Sequence, residues 1–200
     1  GRITPLIVTL GTLGMAWGVG RMRLPVWVFR RTSSRAMNGR KGGQVNESTR
    51  VVEESLANSG ATVMGRNMFG GHPGPWDNRK QWNGWWGENP PFRHPVFVLT
   101  HHPRKPLELD GGTTFTFVTG GIGVALEQAK QAACGRDVSL AGGANAARQY
   151  LAAGLVDEME INLVPTLLGS GERLFQGVDD LGDLELVRTV AAPKVTHLKF

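Results

Sequence analysis

From residue 47 onward one order of residues recurs and leaves few folds open: a short apolar run stops at a glycine or a polar turn, and helical spacing follows. Asn46 opens a helix over Glu47 to Asn58, and Ala61-Thr62-Val63-Met64 then stops at Gly65-Arg66 as a buried strand does. Pro95 to Thr100 is a second buried strand, closed by His101-His102-Pro103, and Thr114 to Thr119 a third, ended by Gly120-Gly121. Ile122, Ala125, Leu126, Ala129 and Ala133 recur three and four apart, the period of an amphipathic helix. Asp137 to Ala141 predicts a strand, Gly142-Gly143 a turn, and Ala144 to Ala153 a helix closed by Gly154 in the left-handed conformation. Such alternation predicts an α/β domain with a largely parallel sheet covered by helices. Glu158 to Val164 alternates apolar and polar residues, as do Leu184 to Val190 and Val195 to Phe200 on either side of Pro193. That tail predicts an antiparallel hairpin at the sheet edge, and so a mixed, mainly parallel sheet.

Two hundred residues suffice for a core without disulfides, and the single Cys134 has no partner in the chain. A lone cysteine fits a reducing compartment, so a cytoplasmic protein is expected, with Cys134 a small buried or semi-exposed residue. Residues 70 to 94, with Trp76, Trp82, Trp85 and Trp86 among glycines and prolines, read as a long surface loop. Two readings stay open for it: a lid or substrate wall, or rings packed on the body or a second subunit.

The net charge of +5 is unevenly spread. Residues 1 to 50 hold nine Lys or Arg against Glu47 alone, a net of +8 that leaves the remainder at −3. A basic leader ahead of an acidic body is poor evidence for phosphate-backbone recognition, so no nucleic acid is expected as partner. Pro5, Gly11 and Gly14 interrupt the apolar run Ile3 to Trp17, which is too broken for a membrane span, and no clear cleavage site ends it.

Three strand ends carry the candidate chemistry. Leu140-Ala141-Gly142-Gly143-Ala144-Asn145 opens a helix, where paired glycines let a ligand approach the backbone and free N–H groups favour a phosphate. A tight turn needing positive φ is the plainer reading of the glycines, and the string is not a GxGxxG fingerprint. Arg66 follows a buried strand at the edge where open sheets bind ligands, and its fork suits a phosphate; a loop salt bridge is the plainer reading. Leu99-Thr100-His101 places polar groups at the third end. The adjacent His101 and His102 point to opposite sides of an extended chain, so no metal site is expected.

The strings Ala-Thr-Val-Met-Gly-Arg-Asn-Met-Phe, Pro-Val-Phe-Val-Leu-Thr-His-His-Pro, Ala-Gly-Gly-Ala-Asn and Leu163 to Phe175 together resemble the dihydrofolate-reductase-like family. That family includes the C-terminal reductase domain of the bifunctional riboflavin-biosynthesis protein RibD, and the resemblance runs from about residue 37 to 200. It implies a three-layer dihydrofolate-reductase-like fold and an NADPH-dependent reductase passing hydride to a small heterocyclic or carbonyl substrate. It also implies a homodimer. Carried over by position, Gly65 and Arg66 meet the cofactor phosphates, and Leu99, Thr100 and His101 the 2′-phosphate and adenine side. Ala141, Gly142 and Gly143 meet the nicotinamide-to-pyrophosphate stretch, and Ala144 and Asn145 open the phosphate-binding helix. A fixed guanidinium at Arg66 favours NADP over NAD. No residue is assigned as proton donor, because Glu53 and Glu54 lie on a helix surface.

Family members begin with an apolar strand ending in Ser-Leu-Asp-Gly, which this front lacks. Residues 1 to 36 are therefore expected to be an atypical leader, truncated or frame-shifted, with Leu6 to Thr9 as an alternative, degenerate first strand. The competing functions are a nucleotide or flavin binder without turnover and a nucleic-acid-binding module using the leader.

Overall fold

A computed structural model describes residues 7–10, 45–76, 82–165, 173–178, 182 and 184–200. Most of the basic leader lies outside those residues, as does 166–172 within the Leu163 to Phe175 string.

Among the described residues nine strands form one sheet in the order β4-β5-β3-β2-β6-β1-β7-β9-β8. The strands are β1 (Ile7–Leu10), β2 (Ser59–Gly65), β3 (Pro95–Leu99), β4 (Leu107–Leu109), β5 (Thr113–Val118), β6 (Asp137–Leu140), β7 (Glu160–Leu163), β8 (Arg188–Ala192) and β9 (Val195–Lys199). The run β5-β3-β2-β6-β1-β7 is parallel throughout. β4 pairs antiparallel with β5 at one edge, and β8 and β9 form the antiparallel hairpin at the other. This is the mixed, mainly parallel sheet of the sequence reading. β1 lies between β6 and β7, with Val8 opposite Leu140 and Thr9 opposite Glu160, so the middle of the sheet is continuous.

Among the described residues the α-helices are α1 (Glu47–Ala57), the single turn α2 (Arg66–Phe69), α3 (Gly121–Ala133) and α4 (Ala144–Ala152). Asn46 caps α1 as its residue type predicts: its Oδ1 accepts from the Ser48 N–H at 3.1 Å, and Thr49 Oγ1 accepts from the Asn46 N–H at 3.2 Å. Gly154 takes φ +63 just beyond α4, as expected. Cys134 closes α3 in the left-handed conformation at φ 50 and is exposed, not buried among apolar neighbours.

Burial on both faces explains why β2 and β3 read as continuous apolar runs. Ala61, Val63 and Phe97 face α3 and α4, joining Ala125, Leu126, Ala129, Ala147 and Tyr150 in one core. Met64, Val96 and Val98 face the opposite way, into a second core with Phe69, Phe115 and Phe117. The tryptophan-bearing segment covers this second core: Trp76, Trp85, Trp86 and Phe92 pack onto it. Phe69 meets Trp76, Phe115 and Phe117 edge-on at centroid distances of 5.1 to 5.8 Å. Of the two readings left open for this loop, the rings pack on the body, where they do the work of a covering helix. Two indole N–H groups fasten the loop: Trp85 Nε1 donates to Met68 O at 2.9 Å and Trp82 Nε1 to Phe69 O at 3.0 Å.

Candidate functional site

Parallel pairing puts the C-terminal ends of β3, β2 and β6 side by side on one edge. Gly65, the last residue of β2, stands opposite Leu99, the last of β3. On its other side the Gly65 N–H donates to Gly142 O at 2.7 Å, and the Ala141 N–H donates to Val63 O at 2.9 Å. The three predicted site segments are therefore contiguous, which the sequence could only propose from their positions at strand ends.

Each glycine here has its own physical reason. Gly65 has ordinary extended backbone, φ −77 and ψ 157, so conformational freedom does not call for it. Close approach does: a Cβ would lie 3.3 Å from Ala146 Cβ and 3.7 Å from both Gly142 O and Gly143 N. Gly142 has φ +89, where a side chain is strained, and the Gly142–Gly143 peptide is cis. A Cβ built on either Gly142 or Gly143 meets nothing within 4 Å, so both face open space.

Gly143 is also the N-cap of α4 and supplies no side-chain hydrogen bond, which leaves the first N–H groups of that nine-residue helix without a side-chain acceptor. The same arrangement occurs at Gly120-Gly121, the N-terminus of α3 after β5, which sequence reasoning passed over as a simple strand stop. Asn145 is exposed and accepts from Gln149 Nε2 at 2.7 Å, a contact along its own helix. Ala141 and Ala144 are half-buried.

On the β3 side Thr100 is buried, and its Oγ1 accepts from the His102 N–H at 3.1 Å, so the hydroxyl shapes the turn. His101 is exposed and His102 half-buried; Leu99 packs on the α3-side core. Arg66 is half-buried and turned back on its own loop. Its Nη1 donates to Gly70 O, its Nη2 to His72 O at 2.9 Å, and its Cζ lies 3.2 Å from the centroid of the Trp76 ring. Burial, and secondarily the charge of Arg104, lower its pKa to about 10, still leaving it charged near neutrality. Arg104 stands over the same indole at 4.9 Å, with Nη1 donating to Trp82 O at 2.6 Å. Neither guanidinium has a carboxylate partner among the described residues. Arg104 was missed from the sequence, where its signal was a basic pair, Arg104-Lys105, five residues past the end of β3, and Trp76 was read only as one ring of the loop.

Open space over paired glycines, an uncapped helix start and two arginines without a carboxylate partner among the described residues fit an elongated anionic ligand lying across β6, β2 and β3. Among the described residues no group of His, Cys, Asp and Glu is arranged to hold a metal, and no helix is long and apolar enough to cross a membrane. A separate cleft of about 370 Å³, lined by Leu151, Asp157, Met159 and Phe200, lies at the far end of α4.

The RibD C-terminal domain family matches residues 30–198. A protein from Shewanella sp. PV-4 assigned to riboflavin biosynthesis has a similar structure, with TM-score 0.57, 20% identity, and coverage of 97% of this chain and 94% of that one. RibD from Acinetobacter baumannii gives TM-score 0.54 at 20% identity, covering 98% of this chain and 57% of its own. A Thermotoga maritima diaminohydroxyphosphoribosylaminopyrimidine deaminase/5-amino-6-(5-phosphoribosylamino)uracil reductase gives 0.50 at 11%, covering 98% and 56%. The chain thus spans a little over half the length of these two relatives, and at such identities the likeness is one of fold. No curated protein sequence matches the chain.

Proposed function

Because the chain belongs to the RibD C-terminal domain family, an oxidoreductase family, we propose that it is an NADPH-dependent reductase of a small heterocyclic or carbonyl compound of the kind handled in riboflavin biosynthesis. One observation carries this reading: the ends of β3, β2 and β6 are adjacent, with glycines facing open space over one helix start and arginine at the neighbouring strand end. A dinucleotide is the ligand that this combination suits, since it is long, flat in two places and anionic between them.

NADPH supplies hydride when bound. The chain's own residues bind and orient it. Gly142 and Gly143 leave room for close approach to backbone, and the first N–H groups of α4 offer donors to a diphosphate without a side chain intervening. Gly65 keeps β2 close enough for its N–H to reach Gly142 O, which fixes the glycine turn against the sheet. Thr100 sets the turn that presents His101, and Arg66 offers a guanidinium once it exchanges its loop carbonyls for phosphate oxygen. Holding two reactants in register accounts for much of the acceleration in such a transfer, which places the demand on these positioning contacts. Homodimerisation and a small-molecule substrate belong to the same proposal.

The test is a titration of the purified chain with NADPH, read by energy transfer from tryptophan, followed by NADPH oxidation assays against pyrimidine, pterin and carbonyl compounds. Saturable binding well below millimolar cofactor with turnover of at least one class is expected. Binding without oxidation favours a nucleotide binder without turnover, and no saturable binding ends the dinucleotide reading.

A further inference from the structure

We propose that Ser48 and His197 form the proton source for the reduction: His197 passes a proton through the Ser48 hydroxyl to the oxygen or nitrogen of the reduced double bond, and Asn162 and Glu160 position the imidazole. This rests on the reductase reading above, which supplies a hydride but no proton.

Three elements converge on one imidazole. His197, in the middle of β9, is buried, and its Nε2 lies 2.5 Å from Oγ of Ser48, a fully buried residue in the first turn of α1. Its Nδ1 is hydrogen-bonded to Oδ1 of Asn162, the residue opposite it on β7. An amide oxygen accepts, so Nδ1 keeps its proton and Nε2 is the nitrogen that gives and regains one. The Glu160 carboxylate stands beside the ring, with Oε1 4.0 Å from Nδ1. Oε1 is buried without a hydrogen-bond partner, as is Asn162 Nδ2. A buried carboxylate oxygen in that state favours a positive charge next to it, which a protonated imidazole supplies. The remaining charges nearby are turned elsewhere. Ser55 Oγ, from α1, donates to Glu160 Oε2 at 2.8 Å. Arg188 of β8 lies 4.0 Å from that same Oε2 and 2.7 Å from Glu54, while Lys199 of β9 pairs with Glu158 at 2.7 Å. The β8 residue opposite His197 is the apolar Val190.

Strand register brings this cluster to the ligand edge. Val8 stands opposite Leu140 and Thr9 opposite Glu160, so Asn162 comes level with Gly143, two strands and about 10 Å away. Reduction of a C=N or C=O bond adds hydride to carbon, and the electron pair of the double bond then takes a proton on nitrogen or oxygen. Ser48 Oγ gives that proton and takes the one on His197 Nε2 as it does so, which leaves His197 neutral. Burial keeps the transferred proton from bulk water. It also requires the first turn of α1 to part from β9 when substrate enters, a movement that lets His197 regain its proton from water between turnovers.

The experiment has two readouts. Imidazole NMR of the histidine-labelled chain, with His197→Gln identifying the signal, follows the ring through pH without any ligand. Glu160→Gln removes the balancing charge, so His197 is expected to release its proton at lower pH than in the wild type. NADPH oxidation is then followed against pH with dihydrofolate, ribosylaminouracil and nitrobenzaldehyde as acceptors. Ser48→Ala is expected to slow turnover by about a hundredfold to ten-thousandfold, the range for a positioned acid. Glu160→Gln is expected to move the fall in rate with rising pH to lower pH. In both variants the NADPH Kd is expected to change less than about twofold, which also shows that they are folded. Arg50→Gln, a surface ion-pair residue of the same helix, serves as control. A Ser48→Ala protein that turns over as the wild type does overturns the proposal and leaves the reductase reading standing. So does a pH profile, of ring or rate, that Glu160→Gln leaves in place. Equal loss of NADPH binding and turnover assigns the cluster a purely structural role and also overturns it. A wild type that binds NADPH but reduces none of the acceptors ends the reductase reading and this one with it.

Discussion

Replacing each of two glycines on β2 by alanine is the sharpest packing test, because the chemical change is identical and the surroundings differ. Gly60 lies where the β2–β6 register shifts between Ser59 and Ala61, a position where glycine permits close backbone approach. A Cβ there would stand 2.6 Å from Ala133 O, 2.9 Å from Ala133 Cα and 2.8 Å from Arg136 Cβ. Two of these atoms belong to backbone at the end of α3, which cannot swing aside. At Gly65 the nearest atom is Ala146 Cβ at 3.3 Å, and a shift of a few tenths of an ångström relieves it. Overpacking costs about 1–3 kcal/mol, and removing a glycine from the unfolded chain returns about 0.4–1 kcal/mol where φ is compatible. Gly60→Ala belongs at the upper end, with a net loss near 2 kcal/mol, or roughly 4–8 °C in Tm for a domain of this size. Gly65→Ala belongs near balance, within about 1 kcal/mol. Its cost falls on function, because the contacted helix is the one whose start faces the ligand edge, and weaker NADPH binding is expected. Thermal unfolding followed by circular dichroism, with NADPH titration alongside, reads both. A Gly60→Ala protein as stable as wild type, or a Gly65→Ala protein less stable than it, refutes the packing argument. Ala146→Gly added to Gly65→Ala is expected to recover cofactor affinity.

Two titratable groups give pH signatures of opposite sign. His94, hydrogen-bonded through Nε2 to Thr62 Oγ1 at 2.7 Å, has its pKa lowered from 6.5 to about 4, first by burial and then by the charge of Arg136. The folded protein therefore binds this proton less readily than the unfolded chain, so stability falls as pH drops from about 6.5 towards 4. His94→Gln is expected to flatten that part of a denaturation-versus-pH profile. Glu160 is buried, and burial raises its pKa despite Ser55 Oγ, which donates to it at 2.8 Å, and the charges of Arg188 and Lys199. Its ionisation costs stability as pH rises through the folded-state pKa. Glu160→Gln is expected to unfold above the wild type at alkaline pH, with the advantage narrowing on acidification; an advantage that grows with acid contradicts the assignment.

The helices and buried strands were legible because their signals are local. Period 3.6 marked α3, glycine-bounded apolar runs marked β2 and β6, and alternation marked the β8–β9 hairpin. The strand ends followed from the same signals, since parallel order puts every C-terminus on one edge. What escaped was long-range. β4 is only three residues, Leu107–Leu109, too short to show a period. Polar punctuation made residues 70–94 read as a surface loop, and which core Trp76, Trp85 and Trp86 pack on is set by the folded sheet alone. β1 lies between Pro5 and Gly11, and no local pattern assigns it the place between β6 and β7. The ties of Arg66 to Gly70 and His72, and its meeting with Arg104 on Trp76, arise only once the loop has folded over.

The account turns on where a dinucleotide rests, and amide hydrogen exchange with and without NADPH locates it. Slowed exchange is expected at residues 142–145, at Gly65 and Arg66, and at Leu99 to His101, with little change around Leu151, Met159 and Phe200 at the far end of α4. Protection confined to the Leu151–Phe200 cleft, with the three strand ends exchanging as before, would contradict it.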